Sequence, residues 1–528
     1  MNNTDARVIR NEANILPRPS RTSESCRNLS SWVEEGIWGH RLWHRQTPWL
    51  LFLEYLNIAE AEYRQGTLLT SNPEKTVRGY RLHQRIALRN LVFNNTSLSK
   101  IAESGMADLA KWEEWIKQMN EESLPSVGQG YSYLRETFPR FSDFNTTVEL
   151  LRQTVIEPGT NRRWSSRFLF PFGAKALYED LNISSTGSSR EYLNFGRTGE
   201  LLYLMMSRSA FASDLAPMFK RFFTSETLQT KMVGKLLPPD GTESLSDIRS
   251  GGFLPYRQHP AYDRLADDWL AVLGLNLPSY DAFAHLVPLA ALHVILYLME
   301  TATAWLEKPS PVYICEVIAP RMEFVRQRAI RSYQDNDGLP WAAVERVVNN
   351  FMNGSKWNEG VNSPELFSEG ERVDAAINLL SEEFWMREED LIGCGSVGEL
   401  QVRVFTKLRD KHEDNWSIIH AAYGRQSGLI SKRSARNYRY APTDALLKTL
   451  VLANVRKRIE INEFLALLFN KYRFVFGPLE AAKALAPMDY DEPAFQKNRA
   501  RLEERLRSMG LLNRLSDGCA YVENPVKS

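Results

Sequence analysis

Between Ser431 and Lys448 the chain reads SKRSARNYRYAPTDALLK, where Lys432, Arg433, Arg436 and Arg439 are interleaved with the rings of Tyr438 and Tyr440. Cations at this density neutralise phosphates and release condensed counterions, and tyrosine faces stack on bases. The chemistry these residues suit is therefore contact with a nucleic-acid strand. From Arg425 to Arg458 nine basic residues meet one acid, Asp444. Residues 425–528 carry a formal +8 and residues 1–424 a formal −7, hidden in a net charge of +1. A polyanion then has one end of the molecule to settle on. The competing reading is an arginine-rich connector neutralised by acidic surface of the same chain.

The elements around this segment give it a frame. Thr443 caps a helix whose buried stripe is Leu446, Leu447, Leu450 and Val451, which places Arg456, Lys457 and Arg458 in its last turn, where cations complement the helix dipole. Helices over Glu463–Tyr472 and Leu479–Leu485 are divided by Gly477 and Pro478. Asp491 starts a third, with Phe495, Leu502, Leu506 and Met509 on one stripe and Gly510 at its end. Leu511–Arg514 and Cys519–Val522 then flank a hairpin turn at 515–518. Helix, helix, helix, hairpin is the order of a winged helix. Lys497, Arg501 and Arg505 lie at i, i+4 and i+8 on the third helix, off the apolar stripe, where such a fold meets a groove. Glu503 and Glu504 interrupt that face, and winged helices also dock proteins.

No constellation for catalysis survives inspection. Gly393, Gly395 and Gly398 match GxGxxG, but MREEDL precedes them where a dinucleotide site needs a buried strand. His40 and His44 share a helical spacing, yet Arg41 stands where a zinc protease motif has its glutamate. Asp335, Asn336, Asp337 and Gly338 read as a turn, without the ligand spacing of a calcium loop. Asp410, His412, Glu413, Asp414 and His420 form a polar cluster that solvated helix ends explain. Arg78 and His83 make an R-x4-H spacing that resembles the active-site signature of the HEPN ribonucleases; that resemblance implies acid/base work for the His and charge stabilisation for the Arg. Neither a cofactor nor a metal site is expected, and the reading leans away from an enzyme.

With 43% hydrophobic and 24% charged residues the chain can bury a large core, and four widely spaced cysteines fit a reducing compartment. The longest apolar run, Leu286–Met299, is too short to span a bilayer and reads as a buried core helix, so no membrane partner is expected and the location is cytoplasmic. Helical periods recur over 106–122, 147–156, 197–207, 226–237, 262–275, 281–306 and 312–333, the last with a kink expected at Pro320. The predicted fold is mostly α: a multi-domain helical scaffold with a C-terminal winged-helix-like module. Its expected parts are a flexible arm (1–25), an N-terminal helical domain (26–236), a connecting loop (237–261), a central helical domain (262–424), a basic linker (425–442) and the winged-helix-like domain (443–528).

RSARNYRYAPTDALLKTL (433–450) and FLALLFNKYRFVFGPLEAA (464–482) resemble accessory proteins of bacterial anti-phage defence islands, Druantia-type systems among them. The resemblance implies a cytoplasmic bacterial subunit working beside a helicase or nuclease and not itself cutting DNA. The resulting expectation is a non-catalytic scaffold that binds DNA or RNA through Lys432, Arg433, Arg436, Tyr438, Arg439, Lys497, Arg501 and Arg505. The alternatives are a helical nuclease, HEPN-like or metal-dependent, and a protein-binding adaptor without nucleic-acid contact.

Overall fold

The structure is a computed structural model describing residues 8–526 apart from 22–25, 27–28, 40–41, 43, 45, 72–78, 94, 123–129, 153–172, 178–180, 185–186, 191–197, 240–244, 246–247, 251, 319–322, 433–436 and 516–518. Among the described residues helix makes up 66% and strand 5%, as the mostly α expectation requires.

Thr47 accepts from Leu50 N and Pro48 fills the first turn, so α1 runs Pro48–Arg64. It packs on α2 (Thr198–Ser207), whose side chains are all buried. α3 (Pro260–Leu273) and α4 (Ser279–Trp305) lie against each other. By length and composition α4 is apolar enough to cross a membrane, but 83% of its most apolar window is buried inside the fold. It is the core helix expected at Leu286–Met299: Trp38 Nε1 donates to Leu298 O at 3.0 Å and the Tyr297 hydroxyl to Trp38 O at 2.8 Å. Short helices between Ile86 and Arg152 close a second core around Trp112, Trp115, Phe141 and Phe144.

Strand β1 (Tyr313–Ile314) is followed by α5 (Glu323–Asp337), α6 (Leu339–Met352), α7 (Val397–Lys411) and α8 (Ser417–Ser427). The paired strands β2 (Ile430–Ser431) and β3 (Arg439–Tyr440) lead to α9 (Asp444–Asn454), β4 (Ile459–Glu460), α10 (Ile461–Tyr472) and β5 (Phe474–Val475). α11 (Pro478–Ala484) and α12 (Glu492–Ser508) precede the hairpin β6 (Leu512–Arg514) and β7 (Ala520–Val522). β7 also pairs with β4, giving the antiparallel order β6-β7-β4, while β1 pairs in parallel with β5.

Several expectations are corrected. Residues 8–21 are packed, not a flexible arm: Ile9 and Leu16 are buried, Ile15 bridges Tyr256 and Leu16 N donates to Pro255 O. The connection over 237–261 carries Phe253, Leu254 and Tyr256 into the core. Val312–Tyr333 is not one helix. The Val-Tyr-Ile run adds to β5, the helix starts at Glu323, and Pro320 lies outside the described residues. The tetrad 335–338 is no free turn, because helix continues to Asp337 and Asn336 is buried against Val312 O and the Tyr440 hydroxyl. Arg456–Arg458 lie beyond the end of α9 rather than in its last turn.

Two buried histidines should make the fold acid-sensitive. His259 caps α3, its Nδ1 accepting from Ala261 N at 3.1 Å, so a proton there would break the cap. Burial, then the charge of Arg264, pushes its pKa well below the ordinary value. His293 faces Asp268 at 2.6 Å, yet burial outweighs the carboxylate and lowers its pKa too, while its Nδ1 has no hydrogen-bond partner among the described residues. The pair is thus a neutral imidazole donating to a carboxylate. Both histidines take protons more readily unfolded, so stability should fall as pH drops below about 6.5, by up to ~1.4 kcal/mol per pH unit for each, until the folded pKa is reached. Urea midpoints at pH 7.5 and 5.5 measure this loss. His259→Asn, which caps without titrating, should shrink the difference; an undiminished difference would contradict the assignment.

Candidate nucleic-acid interface

β2 and β3 pair on either side of the basic segment, so the described part of the expected linker is folded structure. Lys432 is exposed, its Nζ 4.7 Å from the Tyr438 ring, and half-buried Tyr438 in turn lies 5.4 Å from the Tyr333 ring. Arg433 and Arg436 lie outside the described residues.

Arg439 is corrected outright. Its side chain is 5% exposed, and its Nε is bonded to the fully buried carboxylate of Glu316, which also accepts from Arg326 Nε at 3.0 Å. A guanidinium buried at 5% exposure and already paired with a carboxylate is out of reach of a phosphate. Tyr440 is likewise a core residue rather than a stacking face. Its hydroxyl bonds Asn336 Nδ2 at 3.0 Å and His420 Nε2 at 2.9 Å, and burial pushes its pKa well above the ordinary phenol value.

α12 forms as its sequence dictates. Asp491 accepts from Ala494 N at 3.1 Å, and Phe495, Asn498, Leu502 and Leu506 form the buried stripe. Asn498 pins the helix to the central region through Val317 N, Cys315 O and Phe476 O, all within 2.9 Å. Opposite that stripe, Lys497 and Arg501 are exposed and neither makes an ion pair among the described residues. Arg505 departs from the expected row of three: it is half-buried and faces Asp444 at 3.4 Å, in the first turn of α9. Glu504 remains on the exposed face at i+7 from Lys497.

Other cations of the basic window are also spoken for. Arg456 reaches Asp267 at 2.8 Å, and Arg458 reaches Glu523 at 3.1 Å while lying over the Tyr521 ring. Arg507, near the end of α12, is exposed as well.

No protein-family model, no curated protein and no solved structure matches the chain.

Of the catalytic candidates, His412 and His420 are separated by the geometry. His412 Nδ1 bonds Glu34 at 2.8 Å and its ring lies against Trp341, whereas His420 Nδ1 bonds Asp337 at 2.8 Å with its ring stacked on Tyr333. Both are packed, on different neighbours. His83 sits in an extended bridge with Leu245, Nε2 3.4 Å from Glu60; Arg78 lies outside the described residues. His44 Nδ1 is 2.6 Å from Asn415 Oδ1, and His40 is outside the described residues. The glycine triplet is a capping turn. Gly395 N donates to Glu399 Oε2 at 2.8 Å, so a carboxylate of the chain occupies the place of a phosphate. Among the described residues no three His, Cys, Asp or Glu side chains group as metal ligands.

Proposed function

We propose that this chain is a non-catalytic nucleic-acid-binding and scaffolding subunit. Residues 443–528 act as its winged-helix-like module and α12 is the helix that meets the nucleic acid. Three features support the module: a run of helices ending in α12, an antiparallel hairpin directly after it, and the pairing of that hairpin with β4. The observation that carries the reading is the pair Lys497 and Arg501, solvent-facing on adjacent turns and without an ion-paired carboxylate among the described residues. Lys432 and Tyr438 beside the β2–β3 pair add a cation and a ring; Arg439 and Arg505 belong to the fold instead. The resemblance read in 433–450 and 464–482 would place the subunit in a bacterial antiviral complex, beside a helicase or nuclease.

Binding of labelled DNA and RNA duplexes to wild-type protein and to Lys497→Ala/Arg501→Ala tests this. Removing two charge-assisted bonds to phosphate should weaken affinity roughly tenfold or more. Equal affinity in both proteins, or no binding to either, would reject α12 as the contact helix and leave a protein-docking role for the module.

A further inference from the structure

A cavity of about 800 Å³ opens where the N-terminus of α1, the N-terminal half of α4, the C-terminus of α8 and the start of α9 meet. That is the size of a pocket for a small organic ligand. Its lining has a lopsided charge. Arg425 and Lys448 are both exposed at it, neither is ion-paired among the described residues, and no carboxylate is among the residues that line it.

The walls are fixed. His285 Nδ1 lies 2.8 Å from Thr449 Oγ1, and Thr449 donates back to Ala445 O at 2.9 Å. Burial, then the charge of Lys448, holds the His285 pKa below its ordinary value against the opposing pull of Asp281, so the imidazole is neutral at pH 7. α8 and α9 come together at Gly428, where a Cβ would stand 2.3 Å from Thr443 Oγ1 and φ is +84°. Only glycine permits that approach. The C-terminal end of α8 brings partial negative charge, which Arg425 in its last turn opposes; the N-termini of α1 and α9 bring partial positive charge. The remaining lining is partly apolar, with Pro288 and half-buried Trp49, whose ring stacks on Tyr280 at 6.2 Å, and partly polar, with Thr47, Gln426, Ser427 and Thr443. Two cations and the Trp49 ring at one hollow match a ligand with a phosphate end and a planar end.

We propose that this cavity binds a free nucleoside phosphate, with Arg425 and Lys448 on its phosphates and the Trp49 side of the wall against its base. The site shares no lining residue with α12, and its test does not depend on that helix. Calorimetric titration of the full chain with ATP, AMP and inorganic pyrophosphate should show ATP bound at least tenfold more tightly than pyrophosphate. Arg425→Glu/Lys448→Glu changes only exposed side chains and should weaken ATP at least tenfold, with unchanged circular dichroism. Trp49→Phe should reduce the advantage of ATP over pyrophosphate, and Lys497→Ala/Arg501→Ala should leave ATP affinity as it is. The assignment is overturned if wild-type protein binds no nucleotide, if the charge reversal leaves ATP affinity intact, or if pyrophosphate binds as tightly as ATP. A 5′-phosphorylated oligonucleotide that outcompetes ATP here would overturn the choice of a free nucleotide.

Discussion

Asp268→Ala should lower the stability of the chain by about 3–5 kcal/mol, read as a fall in the urea midpoint. The carboxylate is fully buried and accepts from three directions: His293 Nε2 at 2.6 Å, the Tyr472 hydroxyl at 2.8 Å and Lys471 Nζ at 2.6 Å. These partners belong to α4 and α10, so one side chain of α3 ties the middle of the chain to a helix 204 residues further on. Alanine would leave a buried N–H and a buried O–H without acceptors, each worth about 1–3 kcal/mol. Lys471 would keep Asp267, at 2.6 Å, which limits the loss. Burial raises the Asp268 pKa, but His293 and Lys471 together outweigh it and leave the value below that of an ordinary aspartate. Its stabilisation is therefore fully present above about pH 4 and disappears as pH falls through the folded value. Asp268→Asn, which keeps one acceptor oxygen, should be intermediate. A loss under about 1 kcal/mol for the alanine variant would contradict this account of the joint.

Arg439→Ala should likewise cost about 3–5 kcal/mol, and the protein that remains folded should bind nucleic acid as wild type does. The reason is Glu316, fully buried and left with only the half-exposed Arg326 when Arg439 is removed. Removing both partners together, as in Arg439→Met/Glu316→Leu, should recover most of the loss, because two desolvated charges disappear and only Arg326, which reaches solvent, gives up a partner. The opposite pattern, unchanged stability with weakened nucleic-acid affinity, would return Arg439 to the interface.

Arg439 also marks the limit of what is legible in the sequence. Local signals suffice for most helices: Thr47 and Pro48 start α1, Thr443 caps α9, Asp491 caps α12, and the chain turns at Gly510 with φ +72°. The hairpin after α12 is equally local. What fails depends on contacts between distant segments. β1 and β5 are two residues each and pair across about 160 positions, too short for a period-2 pattern to reveal. Ile9 and Leu16 have no periodic neighbours, and find their burial against other parts of the chain. Basicity at Arg439 is visible; the acid that neutralises it is 123 residues away. The same limit applies to the cavity, since Arg425 and Lys448 stand in the basic window while His285 and Trp49 come from the central region and the first tenth of the chain.

The most direct test of nucleic-acid binding through α12 is the slope of log affinity against log salt for a DNA duplex, measured for wild type, Lys497→Ala/Arg501→Ala and Glu504→Ala. Each phosphate no longer neutralised by the protein should flatten the slope by about 0.9, so the double variant should fall by about twice that. Glu504→Ala removes a repelling charge from the same face and should bind more tightly. A slope indistinguishable between wild type and the double variant would contradict the account.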